Sequence, residues 1–149
     1  MRQFWEPLEE GLAARSHCPA VFEKLDLLAN RFTQAFYEKN WSGEFEPPVS
    51  DISIAKAYTV QDLIAERRVQ SGEEVVGFKV GCTSKAIRSQ FGLSKSISRR
   101  LFSPHVHREE EEINWKNYVN CAIEPEMVFT IGVDLYVANL PHGQLTDLI

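Results

Sequence analysis

Two glutamates, Glu124 and Glu126, stand two residues apart in the stretch Ile123-Glu124-Pro125-Glu126-Met127-Val128-Phe129. Residues at this spacing on a strand face the same side, so both carboxylates would converge on one place. Two such charges held close repel. The repulsion is relieved by protonating one of them or by placing a divalent cation between them. Oxygen donors favour magnesium, calcium or manganese over zinc. The competing reading is an acidic pair facing solvent, the ordinary condition of glutamate. Pro125 between them points to a sheet edge or a bulge, where strands often meet functional sites.

Lys79 interrupts the run Val75-Val76-Gly77-Phe78-Lys79-Val80-Gly81, with a glycine two positions away on each side of its own face. The glycines leave open space around the ammonium. Beside a bound cation its pKa would fall, allowing proton exchange near neutrality; the alternative is a surface lysine on a half-exposed strand. Thr83 and Ser84 follow directly and offer hydroxyl and backbone N–H groups to a substrate carboxylate. A plain helix N-cap explains Ser84 equally well. His105 and His107 form an H-x-H pair, but Pro104 and the acidic run Glu109 to Glu112 place it in an exposed loop, so it is a weak metal candidate. Cys18, Cys82 and Cys121 are odd in number and lack a CxxC pair, which argues for reduced cytoplasmic thiols rather than disulfides or a zinc knuckle. Cys82 has no evident base partner.

These residues need elements to position them. From Ala20 to Tyr37 the apolar residues Val21, Phe22, Leu25, Leu28, Ala29, Phe32, Ala35 and Phe36 recur at helical spacing, after a proline suited to a first turn. Such a helix suits a cap or an oligomer contact. A second helix is predicted from the N-cap Ser53 to a stop at Gly72, with Tyr58 and Gln61 on its inner face. Glu74 to Val80 then reads as a strand, with Val76, Phe78 and Val80 on one face and Lys79 between its glycines on the other. Ser84 caps a short helix ending near Gly92, and Ser94 to Glu112 reads as loop and short strands with a solvated turn at Glu109 to Glu112. Asn120 to Ile131 reads as a strand carrying Glu124 and Glu126. Gly132 to Gly143 is turn-like, and Leu145 to Ile149 resembles the start of a helix. The predicted division is a helical region over 1–46 and a second region over 47–149.

The chain has 149 residues, 44% of them hydrophobic and 25% charged, within the ordinary range of a soluble globular protein. No apolar run approaches the roughly 20 residues of a spanning helix, and no secretory leader is evident at the start, so a cytoplasmic protein is expected. A net charge of −5 supplies no basic face for nucleic acid. Arg99-Arg100 is too short a cluster to change that balance.

Taken in order, Ala57-Tyr58-Thr59-Val60-Gln61, Gly77-Phe78-Lys79-Val80-Gly81-Cys82-Thr83-Ser84-Lys85, Leu101-Phe102 and Ile123-Glu124-Pro125-Glu126-Met127-Val128-Phe129 resemble the hydratase branch of the fumarylacetoacetase superfamily. Hydratases of 2-hydroxypentadienoate and decarboxylases of 4-oxalocrotonate make up that branch. The resemblance spans roughly 47–135 and implies an α+β protein, a mixed β-roll or sandwich with an N-terminal helical region, acting as a homo-oligomer. It further implies that Glu124 and Glu126 bind Mg2+ or Mn2+ beside Lys79. The metal would chelate the carboxylate and the 2-oxo or 2-hydroxy group of a small dienoic acid and act as a Lewis acid on the developing enolate, while Lys79 moves protons. Hydration of the dienoate is the first expectation and decarboxylation the second. Fumarylacetoacetase-type hydrolysis is disfavoured, because the segment from Asn40 to Val60 has no histidine to activate water.

Two departures accompany the resemblance. Ser94 to Arg100 lacks the proline and glycine that the family usually places before the Leu-Phe pair. The family's third metal-binding carboxylate also lies on a strand beyond Ile149, with Asp134 and Asp147 as speculative substitutes. The expectation is therefore a C-terminally incomplete site with weak or absent activity, and the competing class is a non-catalytic paralogue or assembly subunit.

Overall fold

The computed structural model describes residues 19–40, 52–119 and 121–131, which form an α+β arrangement of helices and one small antiparallel sheet. Helix α1 runs over Pro19–Glu38 and helix α2 over Ile54–Gln70. Strand β1 (Val75–Gly81), the short helix α3 (Lys85–Gln90) and strand β2 (Ile97–Phe102) follow. Single 3-10 turns lie at Ser103–His105 and Trp115–Asn117. The exit loop after α1, the predicted turn from Gly132 to Gly143 and the helix start at Leu145 fall mainly or wholly outside the described residues, as do Cys18, Asp134 and Asp147.

The helical spacing of α1 is used as its sequence requires. Leu25, Leu28 and Ala29 are buried against Val60 and Leu63 of α2, with Phe22, Phe32, Ile52 and Ile64 packed around them. Burial of such side chains supplies roughly 1.5–3 kcal/mol each. Arg67 ties the same helices together from the side, donating from Nη2 to Asp26 at 2.6 Å and from Nε to Asn30 at 2.8 Å. Ser53 caps α2 by accepting the Lys56 N–H, and Gly72, at φ 98°, supplies the left-handed backbone that ends it. The predicted regions 1–46 and 47–149 thus contribute one helix each to a shared core.

The end of α2 carries a buried ion pair. Arg68 donates from Nη2 to Glu73 at 2.5 Å, and its guanidinium lies 3.8 Å from the Phe102 ring centroid and 4.5 Å from that of Phe36. Tyr37 also donates to Glu73. Burial alone would push the Glu73 carboxyl up. The bonds from Arg68 and Tyr37 outweigh that and hold it below the usual carboxylate range.

β1 and β2 pair with Lys79 opposite Arg99, Val80 opposite Ser98 and Gly81 opposite Ile97, with an irregularity between Val75 and Gly77. Helix α2 covers the outer edge of β2 through side chains. Gln61 Nε2 donates to the Ser98 carbonyl at 3.1 Å, and the Ser98 N–H donates to the Tyr58 hydroxyl at 3.0 Å. A bare strand edge would leave those groups for another chain to pair with. Asp62 adds an ion pair to Arg100 at 2.8 Å. Tyr58→Phe removes the acceptor of the Ser98 N–H and is expected to cost about 1–2 kcal/mol in urea unfolding, with faster exchange of that amide. An unchanged midpoint would show that water replaces the hydroxyl without loss.

One expectation for the strands needs correction. Residues 121–131 form no strand and are exposed, with Ile123 at 93% and Met127 at 85% of full exposure. Their alternation suits a ladder, but no described strand pairs with them. On β1 the apolar residues Val76, Phe78 and Val80 are about half exposed, whereas Gly77, Lys79 and Gly81 are partly covered. The chemistry-bearing face is therefore the inner one.

Candidate active site

Lys79 projects from β1 between two glycines whose space is taken up on the opposite strand. A Cβ at Gly77 would lie 3.6 Å from Leu101 Cδ1, and one at Gly81 would lie 3.5 Å from Ile97 Cγ1. The ammonium meets the segment after the Trp115 turn. Its Nζ lies 2.5 Å from Glu124 Oε2 and 2.7 Å from Glu126 Oε1. The side chain of Lys79 is only 19% exposed, against 70% and 44% for the two glutamates. The structure thus brings together the three residues predicted to carry the chemistry, and the carboxylates converge without the strand predicted to align them.

The two carboxylates set the protonation of Lys79 in this arrangement. Hydrogen bonds to Glu124 and then Glu126 hold the ammonium above the ordinary lysine value, and Lys79 in turn holds Glu124 below the usual carboxylate range. In this arrangement the lysine is itself the cation between the two carboxylates. Lowered basicity would require another positive charge to take that place.

Behind this cluster is a cavity of about 420 Å3 whose wall joins Ile54, Ala57 and Tyr58 of α2 to Lys79, Arg99 and Glu124. The bonds that fasten α2 to β2 therefore also shape the cavity: Tyr58 and Gln61 both line it while holding Ser98. The Tyr58 hydroxyl accepts from Ser98 and keeps its own proton for a ligand.

Thr83 and Ser84 do not line the cavity. The Ser84 hydroxyl accepts the Ile87 N–H at 3.2 Å and so serves as the N-cap of α3. The Thr83 and Cys82 carbonyls accept from Arg88, bracing a turn in which Cys82 has φ 53°. Both residues are exposed, and Ser84 makes the plain N-cap that its sequence equally allows. The H-x-H pair also divides. His105 packs edge-on against Phe36 at 5.2 Å, while His107 lies 3.1 Å from the Tyr118 hydroxyl and 3.4 Å from Glu111. Burial and then Arg68 hold His105 below the ordinary histidine value.

A larger cavity of about 990 Å3 lies along α1 and the 103–119 segment, walled by Phe36, Tyr37, Phe102 and His105. Its buried charges, Arg68 and Glu73, neutralise each other. Arg99 is the residue that sequence reasoning missed. Seeing it required the strand register that sets it opposite Lys79, information absent from the composition of a two-residue basic cluster.

The two carboxylates fit a hard divalent cation as two of its ligands, since they supply charged oxygens and already gather one positive charge at a single point. Among the described residues no group of three or more His, Cys, Asp or Glu is placed to hold a metal ion. No helix among them is long and apolar enough to cross a membrane.

Comparison with known proteins gives the class. No family model matches the chain. Among curated proteins, it is 32% identical over 122 residues to a 4-oxalocrotonate decarboxylase of Pseudomonas sp, covering 80% of this chain and 45% of that protein. It is 32% identical over 103 residues to the TodF product hydratase of Pseudomonas putida, covering 66% and 38%. It is 27% identical over 120 residues to a 2-keto-4-pentenoate hydratase of Paraburkholderia xenovorans, covering 78% and 45%. A solved 4-oxalocrotonate decarboxylase from Pseudomonas putida G7, complexed with calcium and acetate, aligns at 30% identity and a TM-score of 0.49, over 54% of this chain and 31% of that one. The chain is thus a homologue of 2-keto-4-pentenoate hydratases and 4-oxalocrotonate decarboxylases, as its motifs imply, and it spans less than half the length of these relatives.

Proposed function

We propose that this chain contributes the Lys79, Glu124 and Glu126 cluster to a metal-dependent lyase that hydrates a small 2-hydroxy-2,4-dienoate to a 4-hydroxy-2-oxoacid in the breakdown of aromatic compounds. The observation that carries the reading is the meeting of both carboxylates on Lys79 at the wall of a cavity. The named activities of the homologous hydratases support it. A fumarylacetoacetase-like fold for the whole protein belongs to the same proposal. Glu124 and Glu126 would hold Mg2+ or Mn2+, which when bound supplies Lewis-acid stabilisation of charge on a 2-oxo acid.

The remaining chemistry falls to the chain's own residues. Displaced from the carboxylates, the Lys79 side chain stays within the cavity, where its ammonium form would give a proton to the dienoate carbon skeleton and its neutral amine form would take one. Tyr58 can donate its free proton to a substrate oxygen, and Ile54 and Ala57 offer an apolar wall to the hydrocarbon. Decarboxylation is the second reading, favoured by the 32% identity to a 4-oxalocrotonate decarboxylase over 80% of the chain. It would draw on the same stabilisation of charge at the 2-oxo group and differs in releasing carbon dioxide.

Titration with Mn2+, followed by the loss of its free-ion electron paramagnetic resonance signal, tests the reading. One Mn2+ per chain, displaceable by Mg2+, is expected. Absence of binding would overturn the metal-dependent reading in favour of a non-catalytic module of the same ancestry.

A further inference from the structure

We propose that the larger cavity, along α1 and the 103–119 segment, binds an aromatic monocarboxylate, with the arene against Phe36, Phe102 and Tyr118 and the carboxylate on Lys39 and Asn117. Such a site is separate from the Lys79, Glu124 and Glu126 cluster and needs no metal.

Three parts of the chain supply the rings: α1 contributes Phe32 and Phe36, β2 contributes Phe102, and Tyr118 follows the turn at Trp115–Asn117. A volume of about 990 Å3 falls within the roughly 300–1,000 Å3 of small-molecule sites. The rings are braced from behind. Arg68 lies against Phe36 and Phe102, and His105 meets Phe36 edge-on. Tyr118 has its hydroxyl 3.1 Å from His107, which is in turn 3.4 Å from Glu111. Phe36 and Tyr118 nevertheless remain 44% and 37% exposed. Ring surface held in place and left uncovered favours another ring, because offset or edge-to-face contact adds to the gain from area burial.

Charge balance along the wall gives the rest of the ligand. Arg68 is matched by Glu73, and Arg100 by Asp62. Arg99 faces the Lys79 cluster, where it acts on Glu124. His105, held below the ordinary histidine value by burial and then Arg68, is neutral at pH 7. Lys39 is left over. It stands just past the end of α1 in left-handed backbone, at φ 54°, and its Nζ donates to the neutral Asn117 Oδ1 at 3.3 Å. Among the described residues no carboxylate pairs with it. An ammonium has three N–H donors, so two remain, and the Asn117 amide nitrogen adds further donors beside them. One surplus positive charge at the rim of an aromatic wall matches one carboxylate attached to an arene.

Titration of the intact chain with 2-naphthoate in the absence of metal tests this, read by calorimetry and by the NMR shifts of the His105 ring protons. 2-Naphthoate should bind roughly tenfold tighter than 2-naphthamide, which lacks the charge, and about threefold or more tighter than decahydro-2-naphthoate, which lacks the arene. Binding of the arene should displace the His105 resonances by its ring current. Lys39 is exposed, so Lys39→Gln should leave the fold intact while lowering 2-naphthoate to the affinity of the amide, and Lys39→Arg should keep most of the preference. Lys79→Gln should leave 2-naphthoate binding unchanged. Absence of binding, or equal affinity for 2-naphthoate and either control, would overturn the proposal. So would a preference that survives Lys39→Gln, which would leave Lys39 as a favourable charge at a helix end. Loss of binding on Lys79→Gln would also overturn it, by placing the arene in the smaller cavity. None of these outcomes bears on Mn2+ binding at Glu124 and Glu126.

Discussion

Arg68→Met is expected to destabilise the protein by roughly 3–5 kcal/mol, because it removes one partner of a buried ion pair and strands the other. Glu73, with a side chain only 10% exposed, would keep Tyr37 as a donor but lose the guanidinium. Methionine retains much of the apolar contact with Phe36 and Phe102, so the loss reports the charge more than the packing. Urea unfolding of Arg68→Met, Glu73→Leu and the double variant measures it. The double variant should recover a large part of the stability, since replacing both charges removes the stranded carboxylate. A single-variant loss below about 1 kcal/mol would show that water reaches Glu73 and that the pair acts as a surface contact.

The same pair has a definite pH signature. The folded-state pKa of Glu73 is lowered, so its contribution is present above the unfolded carboxylate value and is lost as pH falls through the folded value. Acid should therefore narrow the gap between the parent and Arg68→Met.

Replacing both site carboxylates has the opposite profile. Glu124→Ala combined with Glu126→Ala is expected to weaken Mn2+ binding by more than about a hundredfold, because losing even a group that only orients a metal ligand costs about 10–100-fold. Both glutamates are exposed to a considerable degree on a segment without regular structure, so the urea unfolding midpoint should stay essentially unchanged. Affinity loss without unfolding is the result that separates a ligand role from a structural one. Unchanged Mn2+ affinity would place the metal elsewhere and reduce the cluster to an ion pair around Lys79.

Local signals in the sequence determined the helices and the strand of Lys79. Apolar periodicity placed α1 to within a residue at either end, and Ser53 and Gly72 bracketed α2, because caps and helical faces are set by neighbours a few positions away. Alternation likewise placed Lys79 between its glycines, and the ordered motifs identified the homologues. The Glu124 and Glu126 segment shows where local signals stop. Its alternation reads as a strand, yet a strand exists only when another pairs with it, and no described strand does so.

Tertiary structure decided everything that depended on pairing between distant residues. It set Arg99 opposite Lys79, closed Arg68 onto Glu73 against two aromatic rings, and used Tyr58 and Gln61 to seal the edge of β2. It also brought two carboxylates onto Lys79 that hold its pKa up, because a side chain's pKa follows the charges brought to it in space rather than its neighbours along the chain. The residue types that can do chemistry were written in the sequence; which charge balances which was decided by the fold.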